Sequence, residues 1–168
     1  MNKTFSTAVL IAVPLIILMA LGWYLMHRNQ LATDIVNLEQ KPLSYQDNTI
    51  QCPQCHMYLV GQKYTAQIVN HEGKTEFFDD IGCAILWSEA HKIDFSKVVF
   101  WVFSLDSERW IKAQEAYFSL SDETPMHYGF GAYEDEKEGS IKFEQMRLRM
   151  LRGENMSDPK VRKKLLGK

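Results

Sequence analysis

Six consecutive residues, Cys52-Pro53-Gln54-Cys55-His56-Met57, carry two thiols, an imidazole and a thioether, and no other stretch of the chain is as dense in soft donor atoms. A C-x-x-C pair has three common chemistries. A thioredoxin-like redox pair sits at a helix N-terminus after a strand, where the placement lowers the thiol pKa. Here no strong strand pattern precedes Cys52, no tryptophan adjoins it, and Pro53 lies inside the pair. A structural zinc site needs four ligands, usually a second C-x-x-C or a histidine pair. The downstream donors Cys83, His71 and His91 are scattered without paired spacing. The third chemistry is a soft monovalent metal, because Cu(I) selects thiolate and thioether donors. Met57, two residues after Cys55, reaches the same ion if the segment is a loop. The ordinary alternatives are core packing for Met57 and an exposed turn position for His56.

Two more positions bear on this chemistry. Cys83 falls in the first turn of an expected helix, where the dipole favours a thiolate. A lone cysteine is more often a small buried hydrophobe, and that structural reading is placed first. Met126 and His127 form a second soft-donor pair beside Thr124-Pro125 in a polar, glycine-bearing segment. Methionine there has little reason to be core, which makes Met126 the better distant ligand.

The elements that must position these donors begin with an apolar run. Residues 7–26 are uncharged, long enough as a helix to cross a hydrocarbon core of about 30 Å. Pro14 is tolerated in a membrane helix, and Trp23 and Tyr24 suit an interfacial belt. Ala20-Leu21-Gly22 loosely fits a signal-peptidase site, but the apolar run continues past it, so an uncleaved anchor is expected. A short N-terminal tail ahead of a large domain suggests a signal-anchor with the domain exported, in a bacterium to the periplasm. The organisation expected is an anchor at 1–28, a polar linker at 29–48, a folded domain at 49–153 and a basic tail at 154–168.

Within that domain, 64–70 alternates and is rich in strand formers, 71–74 is a turn, and 75–78 is a return strand. Asp79 or Asp80 then caps a helix near 81–91, and the apolar run 98–103 is a central strand. This order is β-β-α-β. A second unit of the same kind is expected from 110–120, bent at Gln114-Glu115, followed by the segment 126–133. Its acidic cluster 134–138 would start a helix running over 140–151. The fold class is therefore α+β, with two β-β-α-β-like units after an N-terminal transmembrane helix. A net charge of −2 lacks the basic excess that a nucleic-acid binder needs. Three cysteines rule out a complete set of internal disulfides.

These segments resemble the NosL family, the copper chaperones of nitrous oxide reductase maturation. Cys52-Pro-Gln-Cys-His-Met57 looks like its C-x-x-C-x-M signature, and Phe77-Phe-Asp-Asp-Ile-Gly-Cys83 like the segment entering its first helix. Trp110-Ile-Lys-Ala113 with Ala116-Tyr117, then Pro125-Met126, resembles its second half and methionine loop. The resemblance spans roughly 49–150. It implies a non-enzymatic Cu(I) carrier with Cys55 and Met126 as principal ligands and Cys52 and Met57 auxiliary. Its acceptor would be nitrous oxide reductase or that enzyme's maturation machinery, and its site the periplasmic face of the inner membrane. His56 stands where relatives often have glycine, and a membrane span replaces their lipid attachment. The rival expectations are a membrane-tethered thiol–disulfide oxidoreductase using Cys52 and Cys55, or a structural zinc domain that recruits partners.

Overall fold

The computed structural model describes the backbone of residues 3–28 and 32–167, with the side chains of 12–24 and 32–167. Helix α1 runs Lys3–Arg28, and its described side chains are all exposed. Among the described residues, no helix is long and apolar enough to cross a membrane. The span expected over 7–26 lies partly outside the residues whose side chains are described.

The strand-forming sequence around Ile68 builds the centre of the main sheet. β1 (Ala66–Asn70) pairs antiparallel with β2 (Thr75–Phe78) and with β3 (Val98–Phe103), and β3 pairs with β4 (Trp110–Lys112), giving the order β2-β1-β3-β4. The register sets Ala66 opposite Phe78 and Val102, and Ile68 opposite Phe100. Because side chains alternate across a strand, these four share one face with Ile68, and all are buried. Helix α2 (Ile81–Ala90) covers that face, its Trp87 ring lying 5.5 Å from the ring of Phe78. Ile81, Ala84, Ile85 and Ser88 are buried as the helical period requires. The helix starts at an Asp80 N-cap, whose Oδ1 accepts from the Gly82 N–H at 2.8 Å.

The opposite face presents Gln67, Phe77 and Trp101, aligned by the same register, and the stretch expected as a linker covers it. Gln67 mimics a strand partner, its Oε1 accepting from the Leu43 N–H and its Nε2 donating to the Leu43 carbonyl, both at 2.8 Å. Trp101 Nε1 donates to the Gln40 carbonyl, and Tyr45 packs edge-on against Phe77. The Asn37 N–H donates to the Gly73 carbonyl at 2.8 Å. Residues 37–45 are thus a strap over the sheet. They combine the packing of Leu43 and Tyr45 on the core with amide hydrogen bonds, and no hydrophobic period marks them.

The second half differs from the expected repeat. β5 (Tyr117–Phe118) lies between β6 (Ala132–Tyr133) and β7 (Ile141–Lys142), and α3 (Phe143–Leu151) follows directly. Its order is β-β-β-α, and among the described residues no strand follows α3. After Gly153 the chain turns polar and basic, without the β-branched or aromatic run a closing strand needs. The acidic cluster 134–138 forms turns rather than a helix start. Phe143 joins the halves: its ring lies 5.6 Å from those of Phe95 and Phe100 and 6.3 Å from that of Phe118. Within the basic tail, residues Pro159–Leu166 form α4, with Asp158 as N-cap and Gly167 at φ +67° as left-handed C-cap.

Candidate metal centre

The C-x-x-C segment folds as a tight knuckle. The His56 N–H donates to the Cys52 carbonyl, the Cys52 N–H to the Met57 carbonyl, both at 2.9 Å, and Gln51 bridges Tyr58 across the turn. His56 takes the left-handed conformation at φ +62°, the position where glycine is otherwise preferred. This winding aims backbone N–H groups at sulfur: the N–H of Cys55 at the Cys52 thiol, and that of Met57 at the Cys55 thiol. Such bonds favour the thiolate form.

The start of α2 meets this knuckle. One donor atom from each of Cys52, Cys55, Asp79 and Cys83 lies within 4.8 Å of all the others. Cys52 and Cys83 have no exposed surface, Asp79 is almost fully buried, and Cys55 is half-buried and forms the open edge. Cys55 Sγ donates to Asp79 Oδ1 at 3.1 Å, while the buried Asp79 Oδ2 has no hydrogen-bond partner. A hydrogen bond from Cys83, outweighing burial, brings the Cys52 thiol down to about 7. Burial pushes the Cys55 thiol up to about 12, and the bond to Cys52 followed by burial raises that of Cys83. Among the described residues, the groups with the largest effects on the three thiols include no cation.

These facts fit a metal cation. With metal–sulfur bonds of about 2.3 Å, a tetrahedral set has donor-to-donor edges near 3.8 Å, so contraction by an ångström or less closes the group around an ion. A bound cation would also supply the partner that Asp79 Oδ2 lacks.

The neighbouring loop is tied to the same helix end. Asp80 Oδ2 accepts from the Met126 N–H at 3.3 Å, and the Thr124 hydroxyl also bonds to Asp80. Burial pushes the Asp80 carboxyl up to about 6 against these bonds. The Tyr128 ring packs over Gly82, where a Cβ would overlap it. Burial, then the negative field of Cys83, Asp80, Cys55 and Asp79, lifts its phenol to about 12.

Of the residues the sequence singled out, Cys52 and Cys55 are in the cluster. Met57 is 44 % exposed beside it. Met126 is half-buried against the core, with its backbone brought to Asp80. His56 and His127 are exposed, and His91 is engaged elsewhere, stacked on Trp87. Asp79 and Cys83 complete the group, where the sequence alone predicts a helix cap at Asp79 or Asp80 and a small buried hydrophobe at Cys83. Their four-residue separation across a helix start was the available signal. No protein-family model matches the chain, and no curated protein matches it.

Proposed function

We propose that the protein is a metal carrier whose cargo is Cu(I), held by the thiolates of Cys52, Cys55 and Cys83 with Asp79 beside them. The observation that carries this reading is the convergence of three thiols and a buried carboxyl with an unpartnered oxygen. Soft thiolates select Cu(I), and the half-exposed Cys55 gives an acceptor's ligand a way in for stepwise exchange. Met57 and Met126, at the exposed rim and on the adjoining loop, serve as auxiliary thioether donors during loading and transfer. The NosL-like segments support delivery to nitrous oxide reductase or its maturation machinery. The uncharged run at 7–26 supports a single inner-membrane anchor with the domain in the periplasm.

The knuckle disfavours the oxidoreductase reading. A redox pair exposes its low-pKa first cysteine, whereas Cys52 is fully buried and the accessible Cys55 has the raised pKa. Zinc is the second reading, favoured by Asp79 as a fourth, harder donor in a tetrahedral set.

Anaerobic titration of the reduced protein with Cu(I) against a chromophoric Cu(I) chelator, alongside elemental analysis of protein purified without added metal, tests both. Stoichiometric Cu(I) binding that Cys55→Ser and Cys83→Ser abolish supports the carrier. Tightly held zinc that Cu(I) does not displace overturns it in favour of the structural zinc domain.

A further inference from the structure

The carrier site leaves α4 without a role. This helix is capped at both ends and buries no residue fully. Four of its eight residues are cations: Lys160, Arg162, Lys163 and Lys164. None of them forms a salt bridge among the described residues. Arg162 has a structural tie, its Nε donating to the Met156 carbonyl at 3.0 Å. Lys160, Lys163 and Lys164 stand at i, i+3 and i+4 and so share one helix face, and all three are exposed. On another side Val161 is half-buried and Leu165 lines a cleft with Leu120, Tyr133 and Lys137. The apolar side thus leans on the domain, while the lysine face points away from it.

We infer that α4 is a docking face for anionic phospholipid headgroups, with Lys160, Lys163 and Lys164 as the phosphate contacts and Leu166 entering the interface. Charge complementarity is the first argument, since three unpaired lysines on one face match a sheet of phosphates. Leu166, 46 % exposed at the end of that helix, supplies the apolar insertion that such basic amphipathic helices use. A third argument rests on the proposed membrane anchor: exposed Ile16, Leu18 and Met19 of α1 need an apolar surrounding, which a bilayer provides in the same chain. Docking of α4 would hold the domain close to the surface instead of leaving it to swing.

The test uses the full chain with vesicles of pure phosphatidylcholine and of an equimolar phosphatidylcholine–phosphatidylglycerol mixture. Flotation on neutral vesicles reports α1, and amide hydrogen exchange across 159–167 reports α4 separately. The expected result is exchange slowed about tenfold in the anionic vesicles only. Raised salt should reverse it, as should a Lys160→Gln, Lys163→Gln, Lys164→Gln variant. Equal exchange in both vesicle types overturns the inference, even where flotation shows the anchor to be real. Anionic-selective protection without flotation on neutral lipid supports α4 docking and sinks the anchor. Equal protection by soluble polyglutamate at matched charge overturns the lipid assignment in favour of an acidic protein partner.

Discussion

Cys55 Sγ donates to Asp79 Oδ1 at 3.1 Å, while the buried Asp79 Oδ2 has no hydrogen-bond partner among the described residues. A buried polar atom left without a partner costs free energy, so the arrangement is poor for the metal-free protein and good for a metal-bound one. Asp79→Asn separates the two roles. The variant should lower Cu(I) affinity by about 10–100-fold, the range for groups that orient and charge-balance metal ligands. Thermal melting of the metal-free variant should be unchanged or higher, because Asn places no carboxylate charge in the buried position. A lower melting temperature with unchanged affinity would make Asp79 merely structural.

Cys83 is a donor in the cluster that is also part of the hydrophobic core. It is fully buried in the first turn of α2, and its thiol is hydrogen-bonded to that of Cys52. Cys83→Ala keeps the buried volume nearly constant, so a loss of about 1 kcal/mol or less is expected in denaturant unfolding of the reduced apoprotein. Its Cu(I) affinity should fall by more than the roughly 100-fold ceiling of an outer contact. Competition with the same chelator measures that. The opposite pattern, large destabilisation with intact binding, would return Cys83 to the core.

Gly82 is fixed by the Tyr128 ring above it, where a Cβ would overlap ring atoms. Gly82→Ala therefore has to displace the ring, against the bond from the Tyr128 N–H to Thr124 Oγ1 at 3.1 Å. An overpacking cost of about 1–3 kcal/mol is expected. The 124–128 loop should move with it, loosening the Met126 N–H bond to Asp80. Amide exchange at Met126 and Tyr128, compared with the wild type, reports this directly.

The order β-β-α-β and the strand bounds around β2 and β3 were legible because the alternation of 64–70, the turn at 71–74 and the continuous apolar run 98–103 marked them. So was a cap at Asp79 or Asp80, of which Asp80 takes the position. The strap at 37–45 was not, since Gln67–Leu43 and Trp101–Gln40 are polar bonds that leave no periodic trace in either partner. The two-residue strands β5, β6 and β7 are too short for a pattern, and Phe118 meets partners at Ala132 and Ile141 that are far apart in sequence. In the site, Cys52 and Cys55 were visible by adjacency. Asp79 and Cys83 became ligand candidates only when folding brought the start of α2 against the knuckle.

Asp106 links the two halves through the backbone. Its Oδ1 accepts from the Glu134 N–H at 3.0 Å and its Oδ2 from the Asp135 N–H at 3.1 Å, with the Ser104 hydroxyl also bonded to Oδ1. Burial works to raise its carboxyl, but these bonds outweigh it and hold it well below the usual carboxylate range. A depressed folded-state pKa adds stability above the unfolded value of about 3.9, and that stability is lost as pH falls through the folded one. Because Asp106 is exposed, the contribution is screened and about 1 kcal/mol is expected from Asp106→Asn near neutrality. The gap between variant and wild type should close as pH drops below about 4, measured by urea unfolding at a series of pH values.

Phe143 tests whether the halves fold as one. Its ring meets Phe100 from β3 and Phe118 from β5, so one side chain bridges the two sheets, and it is almost fully buried. Removing it opens a cavity shared by both, and Phe143→Ala should cost about 3–5 kcal/mol. If the sheets unfold together, tryptophan fluorescence and far-ultraviolet circular dichroism will give one coincident urea transition, shifted to lower denaturant with its slope unchanged. Phe143→Leu, which refills most of the volume, should recover a large part of that loss. Two separated transitions in the alanine variant would instead mean that each sheet holds its own core, with the metal-bearing first half able to stand without the second.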